Sequence, residues 1–297
     1  MAAITGPFVR RIVEDYLAEL ALRGSSADHL RNSGLYLRKV LEACPQLKPE
    51  QIVRYRAARV SAGAAHRTVN FAVDCARSCL RWAQSMGMIE ANPLERLRRL
   101  PQRECDRVHN RRPMTDEEAE RFLRALRRIQ KRYQVPQVPL YETMIETGLR
   151  WGEATSLRPE DLRGNELVVQ AKSAKTRRTR AIPIPRALAR VLRKLGGERL
   201  FLSPKGRPWN RQNRGNAMKT FREALDLAKI ARRDQDGRVL DIHALRYTAC
   251  SRLLNRKVPL HIVQRVLGHL DPKMTLRVYA EVNAPDVRKA LAKAWRR

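Results

Sequence analysis

Through residues 1–100, apolar positions recur every three or four residues with polar ones between them. Phe8, Val9, Ile12, Val13, Tyr16, Leu17 and Leu20 mark a first helix, started by Thr5-Gly6-Pro7 and stopped at Gly24. Proline suits the first helical turn, where its missing N–H would have no partner in any case. Ser25-Ser26 opens a second helix with Leu30, Leu37, Val40 and Leu41 inward, closing near Cys44-Pro45. Lys48-Pro49-Glu50 starts a third, carrying Ile52, Val53, Tyr55 and Val60 as far as Gly63. A fourth runs from about His66 through Val69, Val73, Ala76, Leu80 and Trp82 to Gly87. Four amphipathic helices with short links predict a small all-α bundle.

The period fades after Asn92-Pro93, and the stretch LERLRRLPQRECDRVHNRRP is nearly all positive in charge. Residues 101–113 therefore read as an interdomain linker. Thr115 with Glu118 three residues on is a capping-box pattern, and Phe122, Leu123, Leu126 and Ile129 follow at helical spacing. The first β-like run is Glu166 to Gln170, paired with Ala181 to Ile184 across the basic hairpin tip AKSAKTRRTR. Pro185 to Leu195 and Gln212 to Ile230 read as helices, and helices fill the remainder. The expected fold is mainly α with a small β-sheet. It comprises an N-terminal four-helix bundle over 1–100, a linker over 101–113, and a mixed α/β domain over 114–297 that ends in a tail helix.

Charge narrows the class of partner. The chain of 297 residues carries 61 Lys and Arg against 30 Asp and Glu, a net of +31. Residues 1–100 contribute +7 and the rest +24, so both parts are basic and the second dominates the field. Such an excess repels itself unless a polyanion is the normal neighbour, and phosphate backbones are the commonest one. Hydrophobic residues at 43% argue for a folded chain rather than a basic tail. Cys44, Cys75, Cys79, Cys105 and Cys250 include no C-x-x-C pair and no secretory signal opens the chain, which points to reduced thiols in the cytoplasm. Cys75 and Cys79 would share a helix face, but no second pair of ligand residues accompanies them, and no H-E-x-x-H occurs, so no metal or other cofactor is expected. No apolar run approaches a membrane span.

Breaking a DNA phosphodiester without a metal requires four tasks. A nucleophile attacks phosphorus, cations neutralise the transition state, an acid protonates the leaving sugar oxygen, and a base takes the nucleophile's proton. Arg150, in ETGLRWGEATSL, suits phosphate because a guanidinium stays charged and forks onto two oxygens. Glu153, three residues on, is placed to orient it, although such a pair is ordinarily a surface salt bridge. Lys175 lies in the hairpin tip with Lys172, Arg177, Arg178 and Arg180, and residue chemistry does not choose an acid among them. Arg211 and Arg214 are further candidate DNA contacts. His243 and Arg246 share a helix face near Asp241, as a hydrogen bonder and a second clamp. His269 follows a glycine that reads as a helix stop. Tyr279 lies on a short helix begun near Pro272; Tyr247 is the rival nucleophile and reads better as a packing residue.

The ordered set Arg150, Lys175, His243-x-x-Arg246, His269 and Tyr279 resembles the tyrosine recombinase (phage integrase) family, which shares its catalytic set with type IB topoisomerases. TGLRWGEATSL resembles the family's first arginine box. KTRRTRAIPI resembles its lysine turn, with the lysine eight residues before the proline, as Lys175 and Pro183 stand. HALRYTACSRLL and LGHLDPKMTLRVYAEV resemble the histidine-arginine and tyrosine boxes, and the N-terminal bundle, ending in Asn92-Pro93-Leu94, resembles the core-binding domain. The tyrosine box departs from the usual pattern in its ten-residue His269–Tyr279 spacing, its LDPK, and Glu281 where a histidine often stands. The resemblance implies a site-specific recombinase or integrase acting on double-stranded DNA through a 3′-phosphotyrosine, with neither metal nor ATP. It implies a synaptic tetramer on DNA, association with the nucleoid, and a tail helix (Val287, Leu291, Trp295) that docks on its own domain or on a neighbour's. The alternatives are a monomeric topoisomerase-like enzyme and a non-catalytic DNA-binding protein on the same fold.

Overall fold

The computed structural model describes residues 6–101, 110–171, 178–210, 212–268, 276 and 295. The chain divides into two compact units, Met1–Val108 and His109–Arg297.

The first unit contains α1 (Gly6–Leu22), α2 (Ala27–Ala43), α3 (Pro49–Ser61) and α4 (His66–Ser85), so all four helices expected from the apolar period form. Helix α4 packs against the other three. Val9, Ile12, Leu37, Val40, Ile52, Val73, Ala76 and Leu80 make the buried core. Ser26 caps α2 by accepting from the His29 amide at 3.2 Å. Cys75 and Cys79 face this core, where burial pushes their thiols up to about 11 and about 12, as expected of packing residues.

Residues 92–100, where the period fades, are held by side chains bonding to backbone. The Asn92 side chain accepts from the Leu94 amide at 2.9 Å, which explains the Asn-Pro-Leu sequence as a local turn. Arg77 on α4 donates to the carbonyls of Leu94 and Leu97. Asn70 pairs with both backbone groups of Leu100, at 2.8 and 2.9 Å.

The second unit contains α5 (Asp116–Ile129), α6 (Val138–Thr147), α7 (Trp151–Ser156), α8 (Arg186–Arg193), α9 (Arg214–Leu227), α10 (Ala244–Asn255) and α11 (Leu260–Leu267). The Thr115 capping box forms in both directions. Thr115 Oγ1 accepts from the Glu118 amide at 3.1 Å, and Glu118 accepts from the Thr115 amide at 3.0 Å. Phe122, Tyr141 and Phe221 pack as an aromatic cluster, with ring centroids 5.1–6.1 Å apart, and join α5, α6 and α9. The Tyr141 hydroxyl is satisfied by the Ala217 carbonyl at 2.9 Å.

The sheet is antiparallel and three-stranded, in the order β1 (Leu162–Arg163), β2 (Glu166–Val169), β3 (Arg180–Pro183). Its β2–β3 register pairs Leu167 with Ile182 and Val169 with Arg180. The two expected strands are present. The added β1 has two residues, too few for an alternating pattern to show.

Residues 110–113, at the end of the expected linker, are bonded into the second unit. The Asn110 carbonyl accepts from the Val239 amide at 2.7 Å, and Arg112 grips Glu118 with both terminal nitrogens, at 2.7 and 2.9 Å. A segment that pairs with backbone far along the chain leaves no periodic signature. Residues 102–109 lie outside the described residues, as does the expected tail helix apart from Trp295, which is exposed.

Candidate active site

Helix α6 ends at Gly148 in the left-handed conformation, φ +65°. A Cβ at this position would lie 2.3 Å from Leu267 Cδ2 and 3.1 Å from Ala249 Cβ, so the absence of a side chain lets the end of α6 seat against α10 and α11. Two residues later Arg150 becomes the N-cap of α7. Its amide donates to Glu153 Oε2 at 3.0 Å and its Nη1 to Oε1 at 2.9 Å. The carboxylate thus caps the helix and fixes the arginine at once.

Glu153 is not on the surface, as a lone Arg-x-x-Glu pair would be: its side chain is 1% exposed. A second guanidinium reaches it from β3. Arg180 donates through Nη2 to Oε2 at 2.9 Å and through Nη1 to Oε1 at 3.4 Å, while its Nε donates to the Val266 carbonyl at 3.1 Å. Burial alone would raise the Glu153 carboxyl, but the Arg180 bond, the Arg150 amide and the two cations outweigh it and hold the group below the usual carboxylate range.

Arg246, on α10, is 6% exposed. Its Nη1 donates to the Gly148 carbonyl at 2.8 Å and its Nη2 to the Leu267 carbonyl at 2.7 Å, which fixes the plane of the guanidinium. Burial, then the charge of Arg150, then that of Arg180, pull its pKa down to about 9, so it remains cationic at neutral pH. Among the described residues, Arg150, Arg180 and Arg246 thus gather three guanidiniums around the buried carboxylate of Glu153.

His243 is the N-cap of α10, one turn before Arg246. The turn is set by Asp241, whose Oδ1 accepts from the Ala244 amide at 2.9 Å. Arg111 chelates the same carboxylate, with Nε 2.8 Å from Oδ1 and Nη2 2.8 Å from Oδ2. The exposed edge of His243 faces a cleft of about 710 Å³, with Phe221, Leu240 and Ile242 in its lining and Arg214, Arg222, Arg232 and Arg233 contributing charge. Desolvation by the surrounding protein, then Arg111, lower the His243 pKa against the opposing pull of Asp241, which favours the neutral ring.

The phage integrase family model matches residues 112–285, more than half of the chain. The chain belongs to the phage integrase family. Among these tyrosine recombinases it is 25% identical to XerA of Thermococcus kodakarensis over 284 residues, covering 95% of each chain. It is 34% identical to the integrase of Escherichia phage 186 over 152 residues, 50% of this chain and 39% of that one. Its fold is similar to that of a lambda integrase dimer bound to a COC′ core site, with a TM-score of 0.71, 19% identity, and coverage of 91% of this chain and 76% of that one.

In this tyrosine recombinase the structure brings Arg150, Glu153 and Arg246 together, with His243 at the start of the same helix as Arg246. Arg178 is exposed and Arg214 lines the cleft beside His243. Arg180 is committed to Glu153 and Val266, a different placement from the phosphate contact expected of it. Lys172, Lys175, Arg177, Arg211, His269 and Tyr279 lie outside the described residues. Tyr247 is half-buried and packs with Ala249, Leu254, Val263 and Leu267 between α10 and α11, as expected. Arg111 was not legible as part of this region, because its partner is 130 positions away. Asp241, which in the sequence only marked where this helix begins, caps its first amide. Among the described residues, no helix is long and apolar enough to cross a membrane.

Proposed function

We propose that this recombinase cuts and rejoins duplex DNA through Tyr279, and that its second unit carries the chemistry while the first serves as the core-binding domain. The observation that carries the reading is the convergence of the Arg150, Arg180 and Arg246 guanidiniums around Glu153, a cradle suited to one phosphodiester. The arginine-lined cleft beside His243 supports passage of a phosphate backbone.

In this reading Tyr279 Oη forms a bond to phosphorus as the bond from phosphorus to the 5′ oxygen breaks. The tyrosine proton passes to His243, which is held neutral at pH 7, and Lys175 protonates the departing 5′ oxygen. Arg150 and Arg246 neutralise the equatorial oxygens, and His269 bonds one of them. The 3′-phosphotyrosine retains the energy of the original ester, so rejoining is the reverse attack by a 5′-hydroxyl and needs neither ATP nor metal. A lambda integrase tetramer has been seen on a Holliday junction. We extend that assembly, and a cytoplasmic, nucleoid-bound location, to this chain.

The test is a nicked suicide substrate spanning DNA that flanks the encoding gene. Wild-type protein is expected to form a covalent 3′ adduct, and Tyr279→Phe to bind without forming one. An adduct that persists in the variant removes Tyr279 from its role. Absence of an adduct from wild-type protein on its own site would favour a binding protein, and plasmid relaxation without any joined product would favour the topoisomerase-like alternative.

A further inference from the structure

Arg180 stands in the basic run that ends the hairpin, and by residue type it is one more phosphate contact. Its surroundings say otherwise. Its side chain is 11% exposed, and all three of its nitrogens donate inside the protein, to the two oxygens of Glu153 and to the Val266 carbonyl. Val266 lies in the last turn of α11, which closes at Gly268 with φ +65°. A Cβ at Gly268 would lie 3.0 Å from Arg180 Cζ and 3.1 Å from its Nε and Nη1. The glycine thus leaves room for the guanidinium, which a side chain at this position would crowd.

We propose that Arg180 is a positioning residue of the strand-transfer site. It sets Arg150 through the shared carboxylate of Glu153, and it sets the segment that delivers His269 by holding the end of α11. Three sequence boxes meet at this one fork: the arginine box, the lysine hairpin and the Leu-Gly-His turn. Charge alone does not do this. A lysine ammonium is a point donor on a flexible stem, whereas one rigid planar fork reaches the two carboxylate oxygens and a carbonyl together. Glu153 thereby keeps both of its oxygens occupied, leaving Arg150 one defined orientation rather than a choice of several.

The inference rests on the recombinase reading, and the experiment separates the two. Single-turnover cleavage of the suicide substrate at saturating protein, and binding as a function of salt, are measured for wild type, Arg180→Ala, Arg180→Lys, Glu153→Gln and the Arg180→Ala/Glu153→Gln double variant. Thermal unfolding of each reports whether it is folded. A displacement of the reacting groups by about 1 Å costs on the order of 100-fold in rate. The cleavage rate is expected to fall by that factor in Arg180→Ala and to be only partly recovered in Arg180→Lys. The slope of log affinity against log salt should stay at the wild-type value in both, because no phosphate contact is lost. The double variant should cleave no more slowly than the slower single variant, since the two residues act through one arrangement.

A slope reduced by about 0.9 per lost contact, with cleavage at saturation unchanged, identifies Arg180 as a DNA contact and overturns the proposal. So does full recovery of rate in Arg180→Lys, or rate losses that multiply in the double variant. Should Arg180→Ala fail to fold, Arg180→Lys and Glu153→Gln carry the same comparison, each expected to lose cleavage rate at an unchanged salt slope. A wild-type protein that forms no adduct sinks the recombinase reading itself, a result distinct from any of these.

Discussion

Arg111 closes on Asp241 across 130 positions of sequence, with both carboxylate oxygens engaged. The same carboxylate caps the first turn of α10, the helix that carries Arg246 and begins at His243. A residue beside the linker thus touches, through one side chain, the helix end from which two candidate catalytic groups project.

Among the described residues, the charges that shift His243 are those of Arg111, Asp241, Arg214 and Arg246, with Arg222, Arg232 and Arg233 further along the cleft. Its pKa is depressed below the ordinary value of ~6.5. The neutral ring is thus favoured in the fold, and this costs stability as pH falls through ~6.5, where the unfolded chain protonates first. Replacing Arg111 with Gln removes a cation and releases the Asp241 carboxylate toward the ring, so the midpoint should rise. Asp241→Asn leaves Arg111 without its counter-charge, so the midpoint should fall. Ring-proton NMR titration of His243 reads both. Shifts in the same direction would remove this account of the pair.

Glu153 joins two guanidiniums from a site almost closed to water, and breaking such a buried pair costs about 3–5 kcal/mol. The carboxyl's folded pKa is depressed, so its contribution is fully present above the unfolded value of ~4.3 and is lost as pH falls through the lower folded value. Glu153→Gln should therefore be about 3 kcal/mol less stable than wild type at pH 7. The gap should close as pH falls below ~4. Urea unfolding across pH checks this, and a gap independent of pH would exclude a role for the carboxylate charge.

Gly148 carries two burdens that a control can separate. Forcing an alanine to positive φ costs about 1 kcal/mol, and overpacking a closed site adds about 1–3 kcal/mol. Gly148→Ala meets both, because the new Cβ would overlap Leu267. Gly164→Ala, at φ +57° with nothing within 4 Å, meets only the first. A thermal unfolding temperature that drops equally for the two variants would show that the close approach of α6 to α11 is unimportant.

Much of the local structure was legible along the chain. The period of apolar residues gave α1 to α4, Thr115 and Glu118 gave the start of α5, and the glycine before His269 gave the end of α11. These features depend on neighbours within one or two helical turns, where side-chain period and capping chemistry act directly. The ordered arginine, histidine and tyrosine boxes were likewise readable as a set, and family membership followed from them.

The roles of particular cations were not readable. Arg178 and Arg180 stand two apart in one basic run, yet one is exposed and the other is bound to Glu153 and Val266. Residues 110–113 look like the rest of a charged linker until Val239 and Asp241 come alongside. By itself the sequence determined the helices, the chemistry of the candidate residues and their order. The tertiary structure decided which arginines serve the fold and which face outward, because a guanidinium bonds as readily to a carboxylate or carbonyl as to a phosphate, and only the packing of distant segments determines which acceptor it meets.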